Sequence, residues 1–156
     1  MTEAIPRGVR LALDLGERRV GVAASDRDGR LAFPVATVDA QDPWPELARL
    51  VAEHAPVAVV VGHPVTLAGT PGLAADRVRV RAAEVARRLG VPVWLVDERM
   101  TTAEAAHKLR EAGRSARQQR RIVDQQAAVG ILDTVLAADR IGQAVGTPVT
   151  PDKEDS

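Results

Sequence analysis

Apolar residues alternate with others along Val9-Arg10-Leu11-Ala12-Leu13-Asp14-Leu15, and the run stops at Gly16. A period of two predicts a strand. Arg19 to Ser25 predicts a second strand, with Val20, Val22 and Ala24 alternating with smaller residues, and Gly16-Glu17-Arg18 forms the turn between them. Asp26-Arg27-Asp28-Gly29 predicts another turn, followed by a third strand over Leu31–Val38. Pro34 assigns that strand to a sheet edge, where a missing N–H costs little.

The period then changes. Leu47, Leu50, Val51 and His54 form one stripe of a helix predicted over Pro43–Ala55. Val57–Val61 is apolar without alternation, as expected of a strand covered on both faces. A Gly- and Pro-containing loop spans Gly62–Gly72. A helix follows over Leu73–Leu89, stopped by Gly90. Its Arg77, Arg81, Glu84 and Arg88 read as an ordinary solvated face. Val91–Val96 predicts another buried strand. Thr101, with Glu104 three residues on, makes a capping box for a helix ending near Gly113. A last helix is predicted over Gln118–Ala138.

The order β-β-β-α-β-α-β-α-α predicts an α/β fold. Its five-stranded mixed sheet, in the order 3-2-1-4-5, joins an antiparallel meander to parallel strands, with helices on both faces. A single domain over residues 9–141 is expected, between a flexible N-terminus (1–8) and a tail without fixed structure (142–156).

Composition narrows the function classes. With 46% hydrophobic and 27% charged residues in 156, the chain is ordinary globular material. The 21 basic and 21 acidic residues exclude a uniformly basic nucleic-acid coat but not a local basic face. All the basic residues but Lys108 and Lys153 are arginines, which suit bidentate contact with phosphate. Cysteine is absent, which excludes disulfides, thiolate catalysis and Cys-ligated metals. With no apolar h-region in Met1–Gly8 and no long apolar run, neither a signal peptide nor a membrane span is expected, and the cytoplasm is the expected location. Phe33, Trp44 and Trp94 are the only aromatics, too few for a base-stacking platform.

Three acids stand out. Asp14 closes the first strand, where a carboxylate is costly to bury unless it binds something; a turn Asp facing solvent is the plainer alternative. Asp97-Glu98-Arg99 ends the last strand, and ligands gather at such strand ends in parallel-containing sheets. Consecutive residues face opposite ways, so only one of these two acids can join Asp14. Asp124 lies on the core stripe of the last helix with Ala128, Ile131 and Val135. In the order 3-2-1-4-5, Asp14 and Glu98 sit two strand spacings apart, about 9–10 Å. Inward-reaching side chains bring both to a common pair of cations, with Asp124 closing the cluster from the helix. An all-oxygen donor set favours Mg²⁺ or Mn²⁺, two ions being expected. Asp14 is expected to bridge them, with Glu98 and Asp124 each completing one shell.

Around this cluster lie candidate phosphate contacts. His107–Arg121 holds six basic residues (Lys108, Arg110, Arg114, Arg117, Arg120 and Arg121) against one acid, Glu111. Arg99 and Thr101 follow the last strand. Gly62 and Thr70 belong to the loop beside the site, where glycine permits close backbone approach. That loop lacks the P-loop pattern, and no GxGxxG follows a strand.

Leu13-Asp14-Leu15-Gly16, Arg19-Val20-Gly21-Val22-Ala23 with Ser25-Asp26, Val60-Val61-Gly62, Asp97-Glu98-Arg99-Met100-Thr101-Thr102-Ala103-Glu104-Ala105, and Val123-Asp124 with Ala127-Ala128 occur in this order. Together they resemble the YqgF/RuvX family, small relatives of the junction resolvase RuvC, over about Val9–Ala138. The resemblance implies an RNase H-like fold and metal-dependent phosphodiester cleavage by Asp14, Glu98 and Asp124. It also implies 5′-end maturation of pre-16S rRNA or, alternatively, resolution of four-way DNA junctions. The implied partner is nucleic acid, as pre-16S rRNA, a pre-ribosomal particle or branched DNA; the protein itself would be a monomer or homodimer. A non-catalytic RNA-binding assembly module is the third reading. An actin-like ATPase, which also uses Asp-x-Gly, would need a longer, two-lobed chain. Two departures fall in the loop: His63 replaces the usual Leu, and Thr66-Leu67-Ala68-Gly69 replaces an Asn-Met-Asp-Gly-like stretch.

Overall fold

The computed structural model describes residues 4–64, 72–97 and 117–151. Three strands open the chain: β1 (Arg10–Leu15), β2 (Arg19–Ser25) and β3 (Ala32–Asp39). Helix α1 (Trp44–His54) leads to β4 (Ala58–His63), α2 (Leu73–Leu89) and β5 (Val93–Asp97). Helix α3 (Arg117–Arg140) and a two-residue β6 (Thr147–Pro148) complete the described fold. The expected helix following Thr101 lies outside the described residues.

The sheet order is β3-β2-β1-β4-β5-β6, so the five predicted strands take their predicted places. The first three form the antiparallel meander, and β4 pairs in parallel with β1 and with β5. The sheet has six strands rather than five. Thr147 and Pro148, from the segment expected to lack structure, pair antiparallel with Leu95 and Trp94, and the Val149 N–H donates to the Val93 carbonyl. A Pro-containing polar segment carries too little alternation to signal a two-residue edge strand. Pro34 sits on the edge strand β3, next to a register shift at Val22/Ala23 that takes up the extra residue.

Alternation divides the core into two layers. Leu11, Leu13, Val20, Val22, Val59 and Val61 face α1 and α2. Ala12, Ala23, Val60, Trp94 and Val96 face α3, whose Ala127, Ala128, Ile131 and Leu132 are fully buried. Burial of each large apolar side chain contributes about 1.5–3 kcal/mol, so this stripe fixes which side of α3 meets the sheet. The alanines let the helix approach closely.

At the N-terminal end of β1, Arg10 is completely buried on the α3 side. It donates to the carbonyls of Ile5 and Pro6 and to Asp139 near the end of α3. Ile5 is itself buried, so this part of the expected flexible N-terminus is packed onto the domain.

Candidate active site

Asp14 is in phase with Arg10 and Ala12, on the face of the sheet that α3 covers. Its cross-strand partner is Gly21, whose partner on β3 is Thr37, so these three positions make one row across the sheet. Helix α3 is seated on that row. A Cβ at Gly21 would lie 2.0 Å from the Asp124 carbonyl oxygen and 3.2 Å from its Cβ, so only glycine admits the helix here. Thr37 locks it laterally: its hydroxyl donates to the Arg121 carbonyl and accepts from Gln125 Nε2, both at 3.0 Å. Residues directly opposite on antiparallel strands lie about 4.5–5.5 Å apart. Asp14 and Asp124 therefore converge at this end of the sheet, 5% and 2% exposed respectively.

Arg19 reaches the same spot from β2. Its Nε donates to Asp124 Oδ2 at 2.6 Å. Such a bond orients the carboxylate. The turn carrying these residues is tight: the Gly16 N–H donates to the carbonyls of Asp14 and Arg19, and a Cβ at Gly16 would meet the Arg19 carbonyl at 2.6 Å. From the other layer, Arg81 Nη1 donates to the carbonyls of Leu15 and Gly16 at 3.1 and 2.9 Å. Arg81 is half-buried, and burial pulls its pKa below the usual guanidinium value. It is thus not part of a merely solvated face, as the helix pattern suggests.

Other candidates separate clearly. Asp97 shares its phase with Val93 and Leu95, which face α2, so it does not join Asp14. Gly62 is buried within β4, opposite Val96. Glu98, Arg99, Thr101, Lys108, Arg110, Arg114 and Thr70 lie outside the described residues. Arg117 and Arg120 open α3, whose first turn contains no acid. Among the described residues, no three His, Cys, Asp or Glu side chains gather as a metal site. The two that converge, Asp14 and Asp124, are hard oxygen donors and fit Mg²⁺ or Mn²⁺.

A family model described as RuvX, Holliday junction resolvase, matches residues 8–138. The chain belongs to the RuvX family. A relative from Cutibacterium acnes, named "Putative pre-16S rRNA nuclease", is 55% identical over 139 residues, covering 88% of this chain and 87% of its own. One of the same name from Streptomyces avermitilis is 47% identical over 148 residues, covering 92% and 95%. Among solved structures, Thermus thermophilus RuvC in complex with a Holliday junction substrate superposes with a TM-score of 0.54 at 19% identity, covering 90% of this chain and 99% of that one. The RuvX chain therefore has the RNase H-like fold of RuvC. Among the described residues, no helix is long and apolar enough to cross a membrane.

Not every family motif residue faces the site. Ser25 Oγ accepts from the Arg10 N–H, and Asp26 Oδ1 accepts from the N–H groups of Arg30 and Leu31. The Leu31 N–H in particular holds the Asp26 carboxyl below its ordinary value. Asp26 closes the β2–β3 turn and Ser25 ties the end of β2 to β1, at the far end of the sheet. Arg19 and Gly21 are the site residues that residue-by-residue reasoning passes over. The available signal was the Arg-x-Gly spacing opposite Asp14: a glycine inside an otherwise well-formed strand marks close backbone approach.

His63, the departure in the loop, ends β4 beside Asp97. Its Nε2 is buried with no hydrogen-bond partner among the described residues. Burial pushes its pKa below 6.5, Arg79 lowers it further, and the Ala75 backbone, Asp97 and Asp76 oppose the shift. The folded protein therefore resists protonating His63. As pH falls below the unfolded value, about 6.5, the unfolded chain takes up the proton first and stability declines. Thermal denaturation at pH 7.5 and 5.5 should show a smaller loss for His63→Leu than for the wild type. An equal loss in both would mean other groups carry the pH dependence.

Proposed function

We propose that this protein is a nuclease that hydrolyses phosphodiester bonds of structured RNA in the cytoplasm, maturing the 5′ end of pre-16S rRNA. The observation that carries this reading is the convergence of Asp14 and Asp124 over Gly21, in a chain closely similar to proteins named as nucleases of that RNA. Glu98, which follows Asp97 in the sequence, is the proposed third carboxylate. These three would hold Mg²⁺ or Mn²⁺, two ions being proposed. Bound there, the ions supply an activated water and charge stabilisation at the leaving 3′ oxygen. Arg19 orients Asp124. The arginines opening α3 run against the helix dipole, which favours acids at that end. That is a charge pattern suited to an anionic ligand, and with Arg99, Thr101, Lys108, Arg110 and Arg114 they would hold phosphates, while Gly62 and Thr70 would border the strand's path.

The deciding experiment incubates the protein with a 5′-extended 16S precursor and with a four-way DNA junction, each with Mn²⁺, Mg²⁺ or chelator. Metal-dependent cleavage of the precursor supports the proposal. The family description favours the second reading, and cleavage of the junction alone, by a dimer, would establish it. Metal binding without either cleavage would leave a binding module. Arg19→Gln should lower cleavage about 10- to 100-fold, the usual effect of removing a group that orients a metal ligand. Wild-type rates in that variant would remove Arg19 from the mechanism.

A further inference from the structure

A groove of about 1060 Å³ runs from Asp124 past the β1–β2 turn to the outer face of α2. We propose that it carries a second stretch of the nucleic-acid backbone, with a phosphate adjoining the scissile one seated on Arg81 and flanked by Arg18 and Arg77. This rests on the nuclease reading and adds a binding track on α2, separate from the basic stretch preceding Asp124.

Arg81 is the anchor. Its Nη1 is spent on the Leu15 and Gly16 carbonyls, and no carboxylate lies within ion-pair distance among the described residues. A guanidinium has five N–H donors in a planar fork, so those on Nε and Nη2 remain for a ligand. Glu84, Asp14 and Glu17 act on this half-buried cation only from beyond ion-pair distance, so an anion on its open donors gains a direct charge-assisted contact. Its two acceptors lie one and two residues beyond Asp14. An anion on Arg81 therefore borders the proposed reaction centre.

The surrounding charges favour a phosphate. Arg19 is engaged with Asp124, and the groove's Asp76 is paired with Arg79 at 3.0 Å. That leaves Arg18, Arg77 and Arg81 in the groove against Glu17, which is 4.0 Å from Arg77 with both side chains largely exposed, while Glu84 and Asp14 act on Arg81 from beyond contact. Leu15 and Val78 give the groove an apolar wall against which a sugar can rest. Arginine matches phosphate oxygens bidentately, and the flanking arginines are exposed enough to turn toward them.

The test measures binding of a fluorescent 5′-extended 16S precursor fragment, with chelator present so that nothing is cut, across a salt series. Arg18→Gln/Arg77→Gln should bind about tenfold more weakly at 0.1 M salt. Its slope of log K against log salt should be shallower by roughly 1–2, one or two phosphate contacts being lost. Both residues are exposed, so the variant should fold normally. Arg27→Gln/Arg49→Gln removes the same charge elsewhere and should keep the wild-type slope. Wild-type slope in the groove variant, or equal losses in both variants, would overturn the proposal. Binding that depends on the groove without Mn²⁺-dependent cleavage would sink the nuclease reading while leaving the track intact. No binding by the wild type would overturn both.

Discussion

Asp14→Asn should lose Mn²⁺-dependent cleavage by about a thousandfold or more while keeping its melting temperature within a few degrees. The amide has nearly the shape of the carboxylate, so the buried position at the end of β1 stays filled. What disappears is the anionic oxygen. Hard divalent ions require such oxygens, and the charge stabilisation they provide is worth several kcal/mol, at about 1.4 kcal/mol per tenfold in rate. Stability should change little because the substitution withdraws a charge from a place where Asp124 already supplies one. A cleavage assay, manganese calorimetry and a thermal melt on one preparation separate the effects. Cleavage within tenfold of wild type would end the carboxylate mechanism.

Gly21→Ala should damage both stability and activity, and this joint loss distinguishes it from Asp14→Asn. The added Cβ would meet the backbone carbonyl of Asp124 at 2.0 Å, against ordinary contacts beginning near 3.4 Å. A backbone atom inside a helix cannot swing aside as a side-chain tip can, so α3 must lift by more than an ångström. Overpacking of this kind costs about 3 kcal/mol or more, a fall in Tm of roughly 10 °C for a domain of this size. Lifting α3 also moves Asp124, and a displacement of about 1 Å can cost 10²-fold in rate. Thermal denaturation with Mn²⁺-dependent cleavage tests both halves. An alanine variant of normal stability would show that the helix does not sit as closely as described.

The sequence revealed the frame better than the seams. Alternation gave β1 to β3, short unbroken apolar runs gave β4 and β5, and helical stripes gave α2 from Leu73 to Leu89 and the face of α3. Pro34 correctly marked an edge. Strand β6 was hidden because two residues give no period, and their pairing depends on where β5 ends in space. At the site, Asp14 and Asp124 were legible as acids at positions that should be apolar. How closely α3 approaches β2 was not, since that depends on an absence, the missing side chain of Gly21. Arg81 was misread because its neighbours on α2 are solvated; only its reach to the Leu15 and Gly16 carbonyls sets it apart.

Besides its buried apolar stripe, helix α3 is held toward each of its ends. Asp124 rests on Gly21, and fifteen residues on, Asp139 is gripped by buried Arg10, which also holds the Ile5 and Pro6 carbonyls. At 1.5 Å per residue these fastenings stand about 22 Å apart along one stiff rod. The rod behaves as a lever with its far end clamped by the leading arm of the chain. The alignment of an acidic group at one pole of the molecule is therefore set in part by residues at the other pole that never approach the chemistry.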